Sequence, residues 1–513
     1  MLRKETFKSD FSASIVVFFI ALPLCLGISL ASGAPLVSGI IAGICGGIIV
    51  GFLSGSHTSV SGPAAGLTVI VLTAIQQLGS FEVFLTALFI AGIIQLILGF
   101  IGAGIIGNFV PSSVIKGMLA AIGIILIFKQ LPHAVGYDVD FEGDETFSQL
   151  DHQNTFSELL HLFDRITPTA IIVSMVTFLV LYFGDTPKFK KMMLFKLLPV
   201  SLVAILVGTI FSILIGFIFP AIALENEHLV QIPNILSKEN FNTPDFTQIL
   251  NISVFLVAIK IAIVASLETL LSIEATDKLD PQKRFTPTSK ELIAQGAGNT
   301  ISALIGGLPI TAVIVRSSAN IVAGGRTKMS AIFHGVLLLV CVLVLTKILN
   351  QIPLSSLAVL LIFVGYKLTK PVLYKETFAN GYDQFLPFII TVISIVFSDL
   401  LTGVFIGLLS SIYFIIKNSY KRAVSITHDN NNCLIRLKGN VSFLNKAVIR
   451  NYLEQMPADT FVIIDGTTAL YIDKDIIELL DEFILMAQFK KITVDKKTSV
   501  SSPNPYFKKH TNQ

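Results

Sequence analysis

The sequence predicts an all-α polytopic membrane protein of fourteen transmembrane segments, arranged as 7+7 inverted repeats, with a small α/β domain after them. Three observations carry this: long charge-free runs, a bias of basic residues to alternate loops, and two short interrupted segments at matching places. Of 513 residues 53% are hydrophobic and only 14% charged, with mean hydropathy +0.77. A soluble domain carries about 25% charged residues. The runs Ile15–Ala31, Ala87–Gly104, Ile166–Phe183, Leu198–Phe219, Ser253–Leu267 and Ile332–Leu345 are nearly free of charge. A spanning helix needs roughly 20 mainly apolar residues, and a soluble core could bury one or two such runs but not this series.

The first run follows Arg3, Lys4 and Lys8 and leads directly into a second apolar run. It therefore reads as the first helix rather than a cleaved leader. The expected spans are 11–32, 35–54, 63–78, 83–103, 107–130, 165–184, 194–219, 249–275, 288–305, 309–322, 327–349, 352–369, 384–399 and 400–417. With the N-terminus cytoplasmic, the inner loops hold Lys188, Lys190, Lys191, Lys196, Lys278, Lys283, Arg284, Lys290, Arg326, Lys328, Lys367, Lys370 and Lys375. The outer loops hold the acidic stretch Asp138–Asp151 and the segment Glu225–Asn242, with only Arg165 and Lys238 as basic residues. That is the positive-inside pattern, and it places both termini in the cytoplasm of a multi-pass inner-membrane protein. Cys25, Cys45 and Cys341 lie in apolar runs and Cys433 in the tail, a spacing that suggests neither a metal site nor a disulfide frame. No nucleophile–base pair or metal-ligand spacing supports an enzyme, and nothing calls for a cofactor or nucleic acid.

The third segment opens Ser59-Val-Ser-Gly-Pro-Ala-Ala65 and the tenth Gly306-Gly-Leu-Pro-Ile-Thr-Ala312. Each is third in its half, and an odd number of spans per half inverts the repeats. Paired Gly/Pro-interrupted segments point to a binding site near the bilayer midplane. Proline suits the first turn of a helix, so helices are expected to start at Pro63 and Pro309. The residues that follow would expose unpaired N–H groups at the positive end of the dipole. Two such ends facing each other hold an anion.

Arg316 lies two turns after Pro309, and an arginine inside an apolar segment usually faces a cavity or a partner. The bland alternative is an ion pair with Glu268. Glu268, in the cytoplasmic half of the eighth segment, is expected to carry a coupling proton or, with Ser272, to ligate Na⁺. Lys260 is too far along the helix to pair with Glu268. His57 and His334 read as ordinary loop and packing residues.

At these residues the sequence resembles the SulP family of anion permeases. The matching stretches are Asp10–Pro23, Ser59–Ala65, Ser266-Leu-Glu-Thr-Leu-Leu271, Lys290-Glu-Leu-Ile-Ala-Gln-Gly-Ala-Gly-Asn299 and Gly306–Asn320. The resemblance implies core and gate domains, elevator-like movement and a homodimer in the bilayer. It places a small inorganic anion, bicarbonate or sulfate, between Pro63, Ala64 and Ala65 and Thr311, Ala312 and Val313, with Arg316 behind. Glu268 looks like the family's coupling carboxylate. The implied function is secondary active transport coupled to H⁺ or Na⁺; an anion channel, an exchanger and a nucleobase or dicarboxylate permease are the rivals.

The domain organisation reads as a transmembrane anion transporter domain over residues 1–420, a short STAS-like domain over 421–500 and a disordered tail over 501–513. Residues 432–439, 460–467 and 491–495 read as strands, and 445–456 and 474–490 as helices. Compared with the family's STAS domain, this one lacks the last helix and strand. Its loop Asp473-Lys-Asp-Ile476 offers no hydroxyl for phosphorylation.

Overall fold

No charge falls between Asp10 and the end of the first helix, Lys4–Ala31 (α1), which is continuous through Pro23. The computed structural model describes residues 4–138, 166–186, 199–232, 242–429, 431–499 and 501–508. The acidic run after Asp138, Arg165, Lys188, Lys190, Lys191, Lys196 and Lys238 lie outside these residues.

The second helix, Leu36–Leu53 (α2), widens to a π turn at Gly46–Val50. There a Cβ on Gly46 would meet the Ser61 carbonyl oxygen at 2.3 Å. The missing side chain lets the strand Ser61–Pro63 (β1) lie against the helix. Next come α3 (Thr68–Leu78), entered through a 3-10 turn at Ala65–Leu67, and α4 (Phe81–Phe100). The Ser80 side chain caps α4, accepting from the Val83 N–H at 3.3 Å. The chain continues through α5 (Ser112–Val135), α6 (Pro168–Gly184), α7 (Val200–Ile218), α8 (Ile252–Leu279) and α9 (Thr288–Leu304). After the strand Ile310–Ala312 (β2) come α10 (Ile314–Val322), α11 (Met329–Val344), α12 (Leu354–Leu368), α13 (Tyr382–Phe397) and α14 (Leu400–Ala423). Among the described residues, eight helices are long and apolar enough to cross a membrane, and four apolar helices are shorter.

The chain divides into two compact units, 1–408 and 409–513, the boundary falling inside α14. In the first unit α1–α4 pack with α8–α11, and α5–α7 pack with α12 and α13. Small residues set the closest crossings. A Cβ on Gly92 of α4 would sit 2.4 Å from the Thr300 hydroxyl of α9, and one on Gly296 of α9 would sit 2.6 Å from the Leu96 nitrogen. Gly403 and Gly407 of α14 lie as closely against Ile395 and Thr391 of α13.

The helix starts differ from expectation. Pro63 and Pro309 do not open helices: Pro63 ends β1, and Pro309 immediately precedes β2. The two strands pair antiparallel, with Ser61 opposite Ala312, Gly62 opposite Thr311 and Pro63 opposite Ile310. Backbone at this depth must satisfy its polar groups within the protein, and pairing the two interrupted stretches does so. The helical turns begin only after Ala64 and Val313, both extended (φ −111° and −110°).

The second unit is a four-stranded sheet in the order β3-β4-β5-β6: Val424–Asp429, Asn432–Val441, Phe461–Ile472 and Thr493–Lys497. The first pair is antiparallel and the other two parallel. The helices Lys446–Glu454 (α15) and Lys474–Ala487 (α16) supply the crossovers. The first strand is not expected from sequence; only Val424 and Ile426 of its six residues are aliphatic. The tail also departs from expectation. Pro505–Phe507 form a 3-10 turn, and Phe507 is completely buried against Gly466, whose Cβ would come within 2.3 Å of the ring. One aromatic ring thus closes the core of a short domain.

Candidate functional site

The β1–β2 pair is antiparallel, so its two chains leave from opposite ends into two helix starts. Neither Ala64 nor Val313 has a side chain able to cap the turn it begins. The first intrahelical bonds run from Leu67 N–H to the Ala64 carbonyl and from Ser317 N–H to the Val313 carbonyl. The N–H groups of Ala65 and Gly66, and of Ile314 and Val315, precede those bonds and point from the positive ends of their helices. Between them lies a cavity of about 20 Å³, roughly the space one water molecule needs. Pro63, Ala65, Val313, Ile314, Val315 and Arg316 line it from the two starts, Glu268 and Ser272 from α8, and Leu24 and Ile28 from α1. Ile122 of α5 and Leu400 of α14 close the opposite wall. Both helix groups therefore contribute to it.

Six of the nine residues expected at the site converge here. Thr311 and Ala312 lie in the strand pair and Ala64 directly follows it, and none of the three lines the cavity. The Ala312 N–H is already engaged by the Thr269 hydroxyl of α8 at 3.3 Å, so it is not a free donor.

Arg316 is completely buried. Its Nη2 donates to the Cys25 sulfur at 3.4 Å, while Nε and Nη1 have no hydrogen-bond partner among the described residues. Its guanidinium lies against Gly62, where a Cβ would meet Nη1 at 2.0 Å. A buried guanidinium with two unused donors leaves a large desolvation cost uncompensated. An anion admitted by widening the adjoining cavity beyond its one-water size would lower that cost. The Glu268 carboxylate is buried at the first turn of the third segment, both oxygens 3.2 Å from the position a Gly66 Cβ would take.

The polar residues of α9 form a group that sequence reasoning missed. Glu291, Gln295 and Asn299 recur every four residues on one face of the helix. Glu291 accepts from the Ser54 hydroxyl at 2.5 Å, Gln295 donates to the Ser61 hydroxyl at 2.7 Å, and Asn299 clasps Ile310. That last clasp has two arms: Asn299 Nδ2 donates to the Ile310 carbonyl at 3.0 Å, and the Ile310 N–H donates to Oδ1 at 2.6 Å. From the other side the Ser317 hydroxyl accepts the Val60 N–H at 3.0 Å, and Asn320 donates to the Thr58 carbonyl at 2.8 Å. The spacing of the three α9 residues is the signal that could have found them.

The remaining singled-out residues lie elsewhere. Lys260 is exposed on α8, beside Thr73 and Gln77 of α3. His57 is exposed in the loop before β1, and His334 is fully buried in α11 with neither ring nitrogen hydrogen-bonded among the described residues.

Comparison with known proteins bears on this geometry. The profile of the sulfate permease family matches residues 7–407. The chain belongs to that family. Similar proteins of this family include "Putative sulfate transporter YvdB" of Bacillus subtilis (strain 168), 29% identical over 418 residues, covering 80% of this chain and 74% of that one. The bicarbonate transporter BicA of Picosynechococcus sp. is 28% identical over 374 residues, covering 70% of this chain and 61% of BicA. Among solved structures, the transmembrane domain of a cyanobacterial BicA aligns with a TM-score of 0.53 at 23% identity, over 80% of this chain and 98% of that one. Murine Slc26a9 in the inward-facing state aligns with a TM-score of 0.67 at 16% identity, over 97% and 86%. These likenesses agree with the mostly helical membrane fold and its small C-terminal α/β domain. In this sulfate permease family member, the two proline-led stretches are thus the strands that set the helix starts.

Proposed function

We propose that the protein is a secondary active transporter of a small inorganic anion, sulfate or bicarbonate, in the inner membrane. One observation carries the reading: two uncapped helix starts and the unused donors of Arg316 converge on one buried cavity. Helix starts hold an anion through N–H groups and dipole, and Arg316 adds the full charge that a doubly charged anion needs. The cavity lies between α1, α8 and the strand pair on one side and α5 and α14 on the other. Sliding the first group past the second would carry the site across the bilayer, the elevator-like movement that the resemblance implies.

Glu268 supplies the coupling. Its carboxylate sits at the same helix start that the anion would use, so two negative charges meet there unless H⁺ or Na⁺ accompanies the anion. Homodimer formation and a STAS-like role for residues 424–508 belong to the same proposal. The test is uptake of labelled sulfate and of labelled bicarbonate into proteoliposomes, with a proton gradient, a Na⁺ gradient or neither. Accumulation above the external concentration under one gradient supports coupled transport. Rapid dissipative flux without accumulation supports a channel, and flux only against internal anion supports an exchanger.

A further inference from the structure

The end of α5 farthest from Ser112, whose hydroxyl accepts from Lys278 at a basic inner loop, carries a cluster that the transport reading leaves unused. Asp138 is clasped by two imidazoles: His133 Nδ1 lies 2.6 Å from one carboxylate oxygen and His228 Nδ1 2.6 Å from the other. Both His133 and the Asp138 carboxylate are almost completely buried. His228 Nε2 lies 3.6 Å from the Glu227 carboxylate and 3.3 Å from the Thr167 hydroxyl that opens α6.

His133, Asp138 and Glu227 line a cavity of about 320 Å³ whose other wall is α1, at Leu26 and Leu30. This cavity lies between the same two helix groups as the buried site. Leu24 and Ile28, on the intervening positions of α1, line the inner cavity. On α5, Ile122 lines the inner cavity and His133 the outer one, eleven residues and about 16 Å apart by helical rise. The outer cavity is therefore placed as the vestibule of the route on the face opposite the basic loops.

We propose that Asp138, held between His133 and His228, is the charge filter of that vestibule, repelling anions when the imidazoles are neutral and admitting them when they carry protons. This rests on the transporter reading. With both imidazoles neutral, Asp138 and Glu227 give the vestibule two negative charges; with both protonated the four groups sum to zero. Glu225, which also acts on His228, adds to the negative side. Among the described residues the other packed elements bring no titratable group to the lining, since α1, α2 and α12 contribute Pro23, Leu26, Gly27, Leu30, Leu36 and Leu354. The hydrogen bond that His228 donates to the Asp138 carboxylate raises His228 above the ordinary imidazole value. That brings its change of charge closer to neutral pH. His133 lies about 16 Å along α5 from Ile122 of the inner lining, so the cluster acts on entry rather than on affinity there. Fields of one sign in a cleft change association rates by about ten-fold or more.

The experiment is sulfate–sulfate exchange in proteoliposomes at equal pH on both sides. Sulfate keeps its charge from about pH 6 to about pH 8, which spans the histidine range. Wild type is expected to exchange several-fold faster at the acidic end, through a lower KM. Asp138→Asn, which carries one negative charge fewer at every pH, should exchange faster than wild type at the alkaline end, where Glu227 alone stays charged in the lining. His228→Gln, which cannot take up charge, should keep a higher KM at the acidic end. Wild-type pH profiles in both variants would overturn the filter while leaving transport standing. A wild type that neither exchanges sulfate or bicarbonate nor is thermally stabilised by them would overturn the transport reading and the filter with it.

Discussion

Arg316→Met tests the site most sharply, because it should weaken anion binding without costing the empty protein stability. The guanidinium is completely buried, with two donors unused among the described residues. Each negative charge about 5 Å from that cation, at an effective dielectric of about 20, gains roughly 3 kcal/mol, so one charge's share is the least that sulfate loses. Losing it lowers affinity on the order of 100-fold. The empty protein behaves differently, since replacing a poorly compensated buried charge by an apolar chain of similar length is often neutral or stabilising. The assay is thermal unfolding of purified protein with and without sulfate. A ligand at about 100 times its Kd stabilises by about 2.7 kcal/mol, and after a loss of about 100-fold the same concentration gives about 0.4 kcal/mol. The expected pattern is an unchanged or higher melting point without sulfate and an almost vanished shift with it. A normal sulfate shift in a well-folded Arg316→Met protein would refute the reasoning.

Glu268→Gln should abolish gradient-driven accumulation while anion binding is kept or strengthened; unchanged dependence of uptake on pH and Na⁺ would exclude the coupling role. Ala65→Leu should fill the 20 Å³ cavity and block binding, whereas Ala64→Leu and Ala312→Leu, off the lining, should act mainly by straining the strand pair; calorimetry separates the two effects from melting. Asn299→Ala strips both backbone groups of Ile310 of their partner, at about 1–3 kcal/mol for each group left unsatisfied, so a variant with wild-type melting and binding would show that the clasp is dispensable. For the outer cluster, burial alone would raise the Asp138 carboxyl, but the hydrogen bonds from His133 and His228 outweigh it and hold it below the usual range. Its stabilising effect is therefore present above the ordinary carboxylate pKa and lost as pH falls through the lowered one, while that of His228, whose value is raised, is complete below the ordinary imidazole pKa and lost as pH rises through the raised one. Amide exchange at Val230 and Ile232, whose N–H groups bond Ile352 and Asn350, should be slowest between those limits, and a flat profile in wild type would contradict this.

The membrane fold is legible in the sequence because its signal is compositional: charge-free runs and alternating basic loops follow directly from the bilayer. The site is legible in part. Pro63, Ala65, Val313, Arg316, Glu268 and Ser272 stand out because Gly/Pro breaks and intramembrane charges are costly unless used. The mistaken expectation for Pro63 and Pro309 has a physical source. Proline's preference for a first helical turn is local, and the pairing of β1 with β2 depends on two segments far apart in sequence, Ser61 meeting Ala312. The α9 clasp is missed for a related reason: Gln295 and Asn299 show what they hold only once the strands are in place. Asp138 reads in sequence merely as the start of an acidic loop, because its two histidines lie on separate elements, 5 and 90 residues away.

On the proposed transport reading, the strand pair also sets the carboxylate and the anion in competition. Because β1 and β2 are antiparallel, the two helix starts leave from opposite ends of the pair, and both line one cavity together with α8. The same α8 holds the Ala312 N–H through Thr269 and lays Glu268, the preceding residue, against Gly66. That hydrogen bond ties α8 to the strand pair and holds the carboxylate at the mouth of one dipole. Whatever neutralises Glu268 must then strengthen anion binding, and by linkage the anion must strengthen binding of that proton or cation by the same factor. An anion affinity that is equal with Glu268 charged and neutral would leave this arrangement without a coupling function, so measuring sulfate affinity across pH in wild type and in Glu268→Gln decides between coupled and uncoupled transport.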